Sequence, residues 1–432
     1  MEDQRREIDR RPRGRRARSG GRARPRLVAG AAFLFASVAG APFAAARPLD
    51  QAIPDLFGGV LVTTIDRGAT TDLQQVQVAA RFRNLSAALA AARSQAPIPS
   101  ASGSFRFAWD PELDTFVRGR QSLGSSVAER AQTLGRNTFT FAASYTRLDF
   151  DTLEGDRLDH LRSSQPALSP GFLAQLPPSD QARFADDNLV TDLDLSFGFD
   201  LFYLSAAYGL TDSLDLSLSL SLNRARMRAR AMASIVDRDA DGAVLFAQDQ
   251  VGLIDDRAIC EPFRCAADGF DEEAFGTGDL FLRGKWQVAE TRWTDIAAVG
   301  VLTVPTGNAD DFLGFHDPTF TPWLVLSRNV GPVLSPHLNL GYAFRSGKDV
   351  SQAQWIIGAD LLAAEWITLN ADFLGFHDDR RDGINDDIVQ SALGFKLHPL
   401  GQAVVAGSFQ LPLNREGLRA DVVYTVQVEV TF

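Results

Sequence analysis

Beyond residue 46 the chain has no run of the roughly 18 consecutive apolar residues that a membrane-crossing helix needs, so no spanning helix is available there. Basic charge is also in deficit. The whole sequence carries a net charge of −11, and residues 1–46 hold eleven basic and four acidic side chains, so the remainder stands near −18. A nucleic-acid-binding surface, which requires a basic footprint, is therefore excluded. Catalytic spacing is missing too. The five histidines, His160, His316, His337, His377 and His398, form no H-E-x-x-H pattern, and neither G-x-S-x-G nor a cysteine–histidine arrangement occurs. The sequence thus reads as a non-enzyme. Cysteine is reduced to Cys260 and Cys265, close enough that an exported chain is expected to bridge them.

Export is what the N-terminus encodes. Eleven arginines lie in residues 1–26, followed by the apolar run Leu27–Ala46, which ends in small residues as a secretory signal peptide does; cleavage is expected near Ala46. No arginine pair directly precedes the apolar run, which points to the general export route.

The last residues, Ala420–Phe432, read ADVVYTVQVEVTF and alternate apolar with polar, a period of two. Their length suits the roughly 9–11 residues with which a tilted strand crosses a bilayer. The same dyad runs through Asn137–Thr146, Asp192–Tyr203 and the leucine ladder Leu214–Asn223. Further strands are read at Asp279–Glu290, Thr294–Thr306, Pro318–Val330, Val333–Arg345, Gln352–Ala363, Trp366–His377, Asp387–His398 and Gln402–Pro412, making twelve in all. Short joins such as Gly209–Ser213 and Pro399–Gly401 alternate with long, acidic or glycine-rich ones such as Asp151–Asn188 and Ala233–Gly278. Short turns alternating with long loops mark an outer-membrane β-barrel with both termini in the periplasm. The expected fold is thus all-β: a transmembrane antiparallel barrel of 12 strands, or 14 if Phe105–Trp109 and Thr115–Arg120 join it. Residues 1–46 are read as signal peptide, 47–135 as an N-terminal segment and 136–432 as barrel. The segment is helical over Leu73–Ala92 and forms either a periplasmic cap or a plug in the lumen.

If the apolar parity of each strand faces lipid, the other parity faces the lumen. This directs Asp192, Asp194, Asp200, Asp279, Arg283, Lys285, His337, Asn339, Arg345, Asp360, Asn370, Asp372 and Lys396 inward. They form either a selective solute path or a packed, stabilising network. Arg224, Arg226, Arg228 and Arg230 continue the outward parity of the leucine ladder past the membrane, where guanidinium forks suit lipopolysaccharide phosphates; a bulge would instead turn them to the pore mouth. Asp237, Asp239 and Asp241 open a D-x-D-x-D-G calcium pattern whose twelfth position is Gln248 rather than glutamate, so no cofactor is expected beyond weak Ca²⁺ binding there.

Several phrases together carry a resemblance: SLGSSVAERAQTLGRNTFTFAASYTRLDFDTLEG (Ser122–Gly155), YGLTDSLDLSLSLSL (Tyr208–Leu222), GTGDLFLRGKWQV (Gly276–Val288), VGVLTVPTGN (Val299–Asn308) and PHLNLGYAF (Pro336–Phe344). They resemble the outer-membrane "transporter" family named for the MetA pathway of phenol degradation, distantly akin to long-chain fatty acid and aromatic hydrocarbon channels. The resemblance implies a passive path for small hydrophobic or aromatic solutes; separately, the terminal aromatic Phe432 resembles the signal read by the outer-membrane assembly machinery. A plugged structural or binding barrel is the second reading, and an outer-membrane hydrolase with scattered catalytic residues the third.

Overall fold

The structure, a computed structural model, describes residues 48–60, 62–66, 71–75, 85–96, 107–110, 115–118, 122–166, 188–236, 259–260, 265–331, 333–347, 350–379, 387–400 and 402–432, with isolated positions between 171 and 181. The signal-peptide residues and the Asp237, Asp239, Asp241 pattern lie outside this set. Twelve strands make the barrel: β1 (Phe139–Leu153), β2 (Asn188–Gly209), β3 (Leu214–Val236), β4 (Cys265–Glu290), β5 (Asp295–Val304), β6 (Thr319–Ser327), β7 (Leu334–Ala343), β8 (Gln352–Ala364), β9 (Ile367–Asp378), β10 (Asp387–Leu400), β11 (Ala403–Pro412) and β12 (Leu418–Thr431). Each pairs antiparallel with its sequence neighbours, and β1 also pairs with β12, which closes the cylinder.

The fourteen-strand alternative does not hold, because Phe107–Asp110 and Thr115–Arg118 pair with each other in a sheet of their own. At the seam the Phe432 N–H donates to the Phe139 carbonyl (2.7 Å), and the Phe139 N–H donates to the Phe432 carbonyl (3.0 Å). Deleting Phe432 removes both bonds and its ring contact with Phe141. The expected outcome is a reduced fraction of heat-modifiable, folded barrel on gels of isolated membranes; an unchanged fraction would show that the seam does not depend on this residue.

Parity follows the dyad wherever the wall is girdled by apolar side chains. Leu220 on β3 is 53% exposed while the adjacent Ser221 is 5% exposed, and Leu216, Leu218, Leu282, Trp286, Leu302, Phe320, Leu340, Ile357, Phe373, Phe395 and Val426 continue the outward belt. Sheltering one such side chain from water is worth about 1.5–3 kcal/mol, so a belt of this extent is stable only against hydrocarbon. The fold is a transmembrane β-barrel.

The wall is uneven in height. β2, β3 and β4 run for 22, 23 and 26 residues against 9 for β6, so they project well past the belt at the long-loop end. There the sense of the faces reverses. Leu193, Leu195, Phe197, Phe199, Leu201 and Tyr203 of β2 are buried inside, packed with Ala225, Met227, Ala229 and Ala231 of β3. Above the belt the outside is water, so the apolar parity turns inward.

That inner face is filled by the N-terminal segment. Helix α1 (Leu49–Val60) buries Leu49, Ala52, Ile53 and Leu56, a helical spacing, and helix α2 (Leu85–Ala92) buries Leu85, Leu89 and Ala92, all within the same cluster. The first amides of α1 are satisfied by a barrel loop: Leu49 N–H donates to Asp311 Oδ1 (3.4 Å) and Asp50 N–H to the Asp310 carbonyl (3.0 Å). Burial raises the Asp311 carboxyl above its ordinary range, and the Leu49 amide opposes that shift. Of the helix expected over Leu73–Ala92, Leu85–Ala92 is helical, whereas Leu73–Gln75 belongs to the strand Thr71–Gln75, which pairs with Val62–Asp66; residues 76–84 lie outside the described set. The alanine–leucine spacing therefore spans two kinds of element.

Candidate functional site

Residues 122–136 form an irregular segment inside the barrel, toward the short-turn end. An extended chain leaves its amides unpaired, and the inward side chains of the wall supply partners. Ala131 N–H donates to Ser327 Oγ (3.0 Å), Leu134 N–H to Asp215 Oδ2 (2.9 Å) and Leu123 N–H to Thr368 Oγ1 (2.9 Å). Lys396 Nζ donates to the Leu123 carbonyl (3.3 Å). Charges lock the same segment. The Glu129 carboxylate bridges Arg283 and Lys285, the latter at 3.0 Å; Arg130 Nε meets Asp360 at 3.2 Å; Ser125 Oγ donates to Asp372 at 2.7 Å. Asp372 also meets His337 Nε2 at 2.6 Å. Burial lowers the pKa of the Arg130 guanidinium against the raising effect of Asp360.

Of the residues the sequence directs inward, Arg283, Lys285, His337, Asn339, Asp360, Asn370, Asp372 and Lys396 stand on the inner face and are buried or, for Arg283, nearly so. Most of them grip the 122–136 segment or one another. Asp192, Asp194 and Asp200 require correction. They lie on the outward parity of β2, because Asp192–Asp200 pairs with the stretch of β3 from Arg224 onward, in the projecting part where the apolar face turns in. Asp200 there receives the Tyr145 hydroxyl (2.6 Å) and Arg226 (3.3 Å).

Arg224, Arg226, Arg228 and Arg230 keep the outward parity of the ladder with no bulge in the pairing of β2 with β3. Acidic side chains of β4, and of β1 one strand further on the other side, meet them: Arg224 with Glu273 (2.8 Å), Arg228 with Asp271 (2.5 Å), and Arg226 with Asp149 (3.5 Å). A bulge between Thr277 and Leu280 on β4 brings Asp271 and Glu273 to that side. Cys260 and Cys265 are register partners at the rim.

Between the helical plug and the 122–136 segment lies a cavity of about 120 Å³. Its apolar wall is Tyr203, Phe281, Val299, Val301, Trp323, Ile356, Leu374 and Phe376, and its polar lining includes Arg93, Gln95, Glu129, Arg283, Thr319 and Arg345. Arg93, on the short 3₁₀ turn Arg93–Gln95 after α2, meets Asp279 at 2.5 Å. Asp279 also accepts the Phe315 N–H (3.0 Å), which ties the plug to the loop after β5. Arg93, Gln95 and Glu129 escape a reading by strand parity because they sit on no strand. Phe281 and Trp323 carried a signal, since each is a bulky apolar residue on the inward parity of its strand.

No family model matches this chain, and no curated protein does. Among solved structures, an outer membrane channel from Pseudomonas putida F1 is 12% identical with a TM-score of 0.43, the match spanning 70% of this chain and 98% of that one. The Ralstonia pickettii toluene transporter TbuX is 10% identical with a TM-score of 0.33, spanning 69% of this chain and 90% of that one. A Pseudomonas aeruginosa FadL homologue is 10% identical with a TM-score of 0.32, again spanning 69% and 90%.

Proposed function

We propose that this protein is an outer-membrane channel for small hydrophobic or aromatic solutes, passed by diffusion, with its short turns and both termini in the periplasm. The observation that carries this reading is the lumenal cavity, walled by aromatic and aliphatic side chains although the surrounding lumen is polar. A barrel kept only for strength has no use for such a space, because filling a void with side chains is the more stable arrangement. The plug segments on either side of it make this a closed state of the path. Lipid surrounds the belt, and Arg224, Arg226, Arg228 and Arg230 stand where they would meet lipopolysaccharide phosphates, in exchange with their acidic partners. No catalytic step enters this reading.

The test is uptake of a labelled single-ring aromatic by cells with an intact lipopolysaccharide leaflet, with and without the protein. Faster uptake with the protein is expected. Equal rates would discard the channel in favour of a structural barrel with a plugged lumen, the reading that the hydrogen-bonded 122–136 segment favours.

A further inference from the structure

The polar groups of the cavity are not arranged for a neutral hydrocarbon. Arg93 is only 7% exposed. Its Nη2 is bonded to Asp279, but its Nη1 is buried with no hydrogen-bond partner among the described residues. Thr319 Oγ1, at the start of β6 and 2% exposed, is likewise buried without a partner among them. Both residues line the cavity. A buried donor left unsatisfied costs about 1–3 kcal/mol, and more when it is charged, so two at one cavity mark a place where an acceptor belongs. A second guanidinium, that of Arg345, reaches the same Phe315 ring as Arg93, at 4.6 and 4.5 Å. The two guanidiniums on one ring place fixed N–H donors beside the cavity.

The rest of the wall sets the body of that anion. Tyr203, Phe281, Val299, Trp323 and Ile356 offer apolar and aromatic surface, while a dry apolar cavity of roughly 150 Å³ admits benzene in another protein. A space of about 120 Å³ therefore suits one ring and little more.

We infer that the cavity is a binding site for a single-ring aromatic monoanion, its carboxylate or phenolate oxygen taken by Arg93 Nη1 and Thr319 Oγ1 and its ring lying against Phe281 and Trp323. The inference deepens the channel reading and rests on it for the route by which solute reaches the cavity. The plug then has a second role, since it delivers through Arg93 the group that selects charge.

Calorimetric titration of the full chain in detergent at neutral pH tests this, with benzoate as the probe, toluene as its neutral counterpart and acetate as the anion without a ring. Saturable one-to-one binding of benzoate is expected, at least about tenfold tighter than either comparison ligand, since a charge-assisted hydrogen bond is lost with the first and the ring with the second. Arg93→Gln should weaken benzoate at least about tenfold and leave toluene unchanged. Should Arg93→Gln fail to fold because Asp279 loses its partner, Thr319→Val carries the test, with an expected loss of about three- to tenfold. Toluene binding as tightly as benzoate, benzoate affinity indifferent to these variants, or no benzoate binding would each overturn the inference. Because titration needs no transport, the two readings fail separately. Benzoate binding without faster uptake removes the channel alone, and faster uptake without benzoate binding removes this site alone.

Discussion

Glu129→Gln is expected to release the 122–136 segment from the lumen wall while the barrel stays folded. The Glu129 carboxylate is shared by Arg283 and Lys285, and their side chains are 10% and 3% exposed. Glutamine keeps the shape and removes the charge, which leaves two neighbouring buried cations without their common counter-ion. Removing one partner of a buried pair costs about 3–5 kcal/mol, and here the cost falls on the irregular 122–136 segment, because the strands are held independently by their own ladders. The segment should therefore detach while the barrel persists. Limited proteolysis should cut within residues 122–136 of the variant and spare them in the unaltered chain, while both barrels stay heat-modifiable. An uncut segment would refute the electrostatic account of its hold on the wall. Asp271→Asn is the comparison, since Arg228 and Asp271 are 70% and 65% exposed and such a pair is worth about 1 kcal/mol or less. It should alter neither readout.

The barrel and its plug differ in how they are written. The ladder Leu214–Leu222 exposes its meaning because hydrocarbon outside and polar lumen inside impose one alternation, and β3 obeys it. The same rule misplaces Asp194, since the rule contains an assumption about the solvent. Once β2 passes the belt, water stands outside and α1 inside, and the alternation Leu193, Leu195, Phe197 takes the opposite sense with no change in period. A dyad reports that two faces differ, not which face meets which medium. Length offered a hint, because β2 and β3 continue for twice the span that a membrane crossing needs. The plug is less legible still. Ser122–Arg136 has no period, and its hold on the wall comes from amides and single charges whose partners, such as Asp215, Ser327 and Asp360, are 81 to 230 residues away in sequence. Arg93 shares that fate, being placed by α2 packing inside the barrel rather than by any pattern around itself.

Where the plug joins the barrel, one methyl group should decide assembly. The chain leaves the lumen through Gly135, whose φ is +90°, and turns into β1 beside the end of β2. Gly209 closes that corner. Its carbonyl accepts the Asn137 N–H (2.8 Å) and its N–H donates to the Thr138 carbonyl (2.9 Å). A Cβ on Gly209 would lie 1.8 Å from the Gly135 carbonyl oxygen. The obstacle is backbone, so no rotamer change relieves it; either the exit of the plug or the first rungs of the β1–β2 ladder must move. Overpacking costs about 1–3 kcal/mol even where side chains can yield, and the cost here falls on the strand that also carries the closing seam with β12. Gly209→Ala is thus expected to lower the yield of folded, heat-modifiable barrel several-fold, with the remainder degraded or aggregated. Gly284→Ala isolates the cause. It too adds one methyl to a barrel strand, but its nearest neighbour is Leu216 Cδ2 at 3.8 Å, ordinary contact on the belt. That variant should assemble at the unaltered level. Equal yields from the two would mean that the corner can relax, and that the plug exit does not set the register of the first strand.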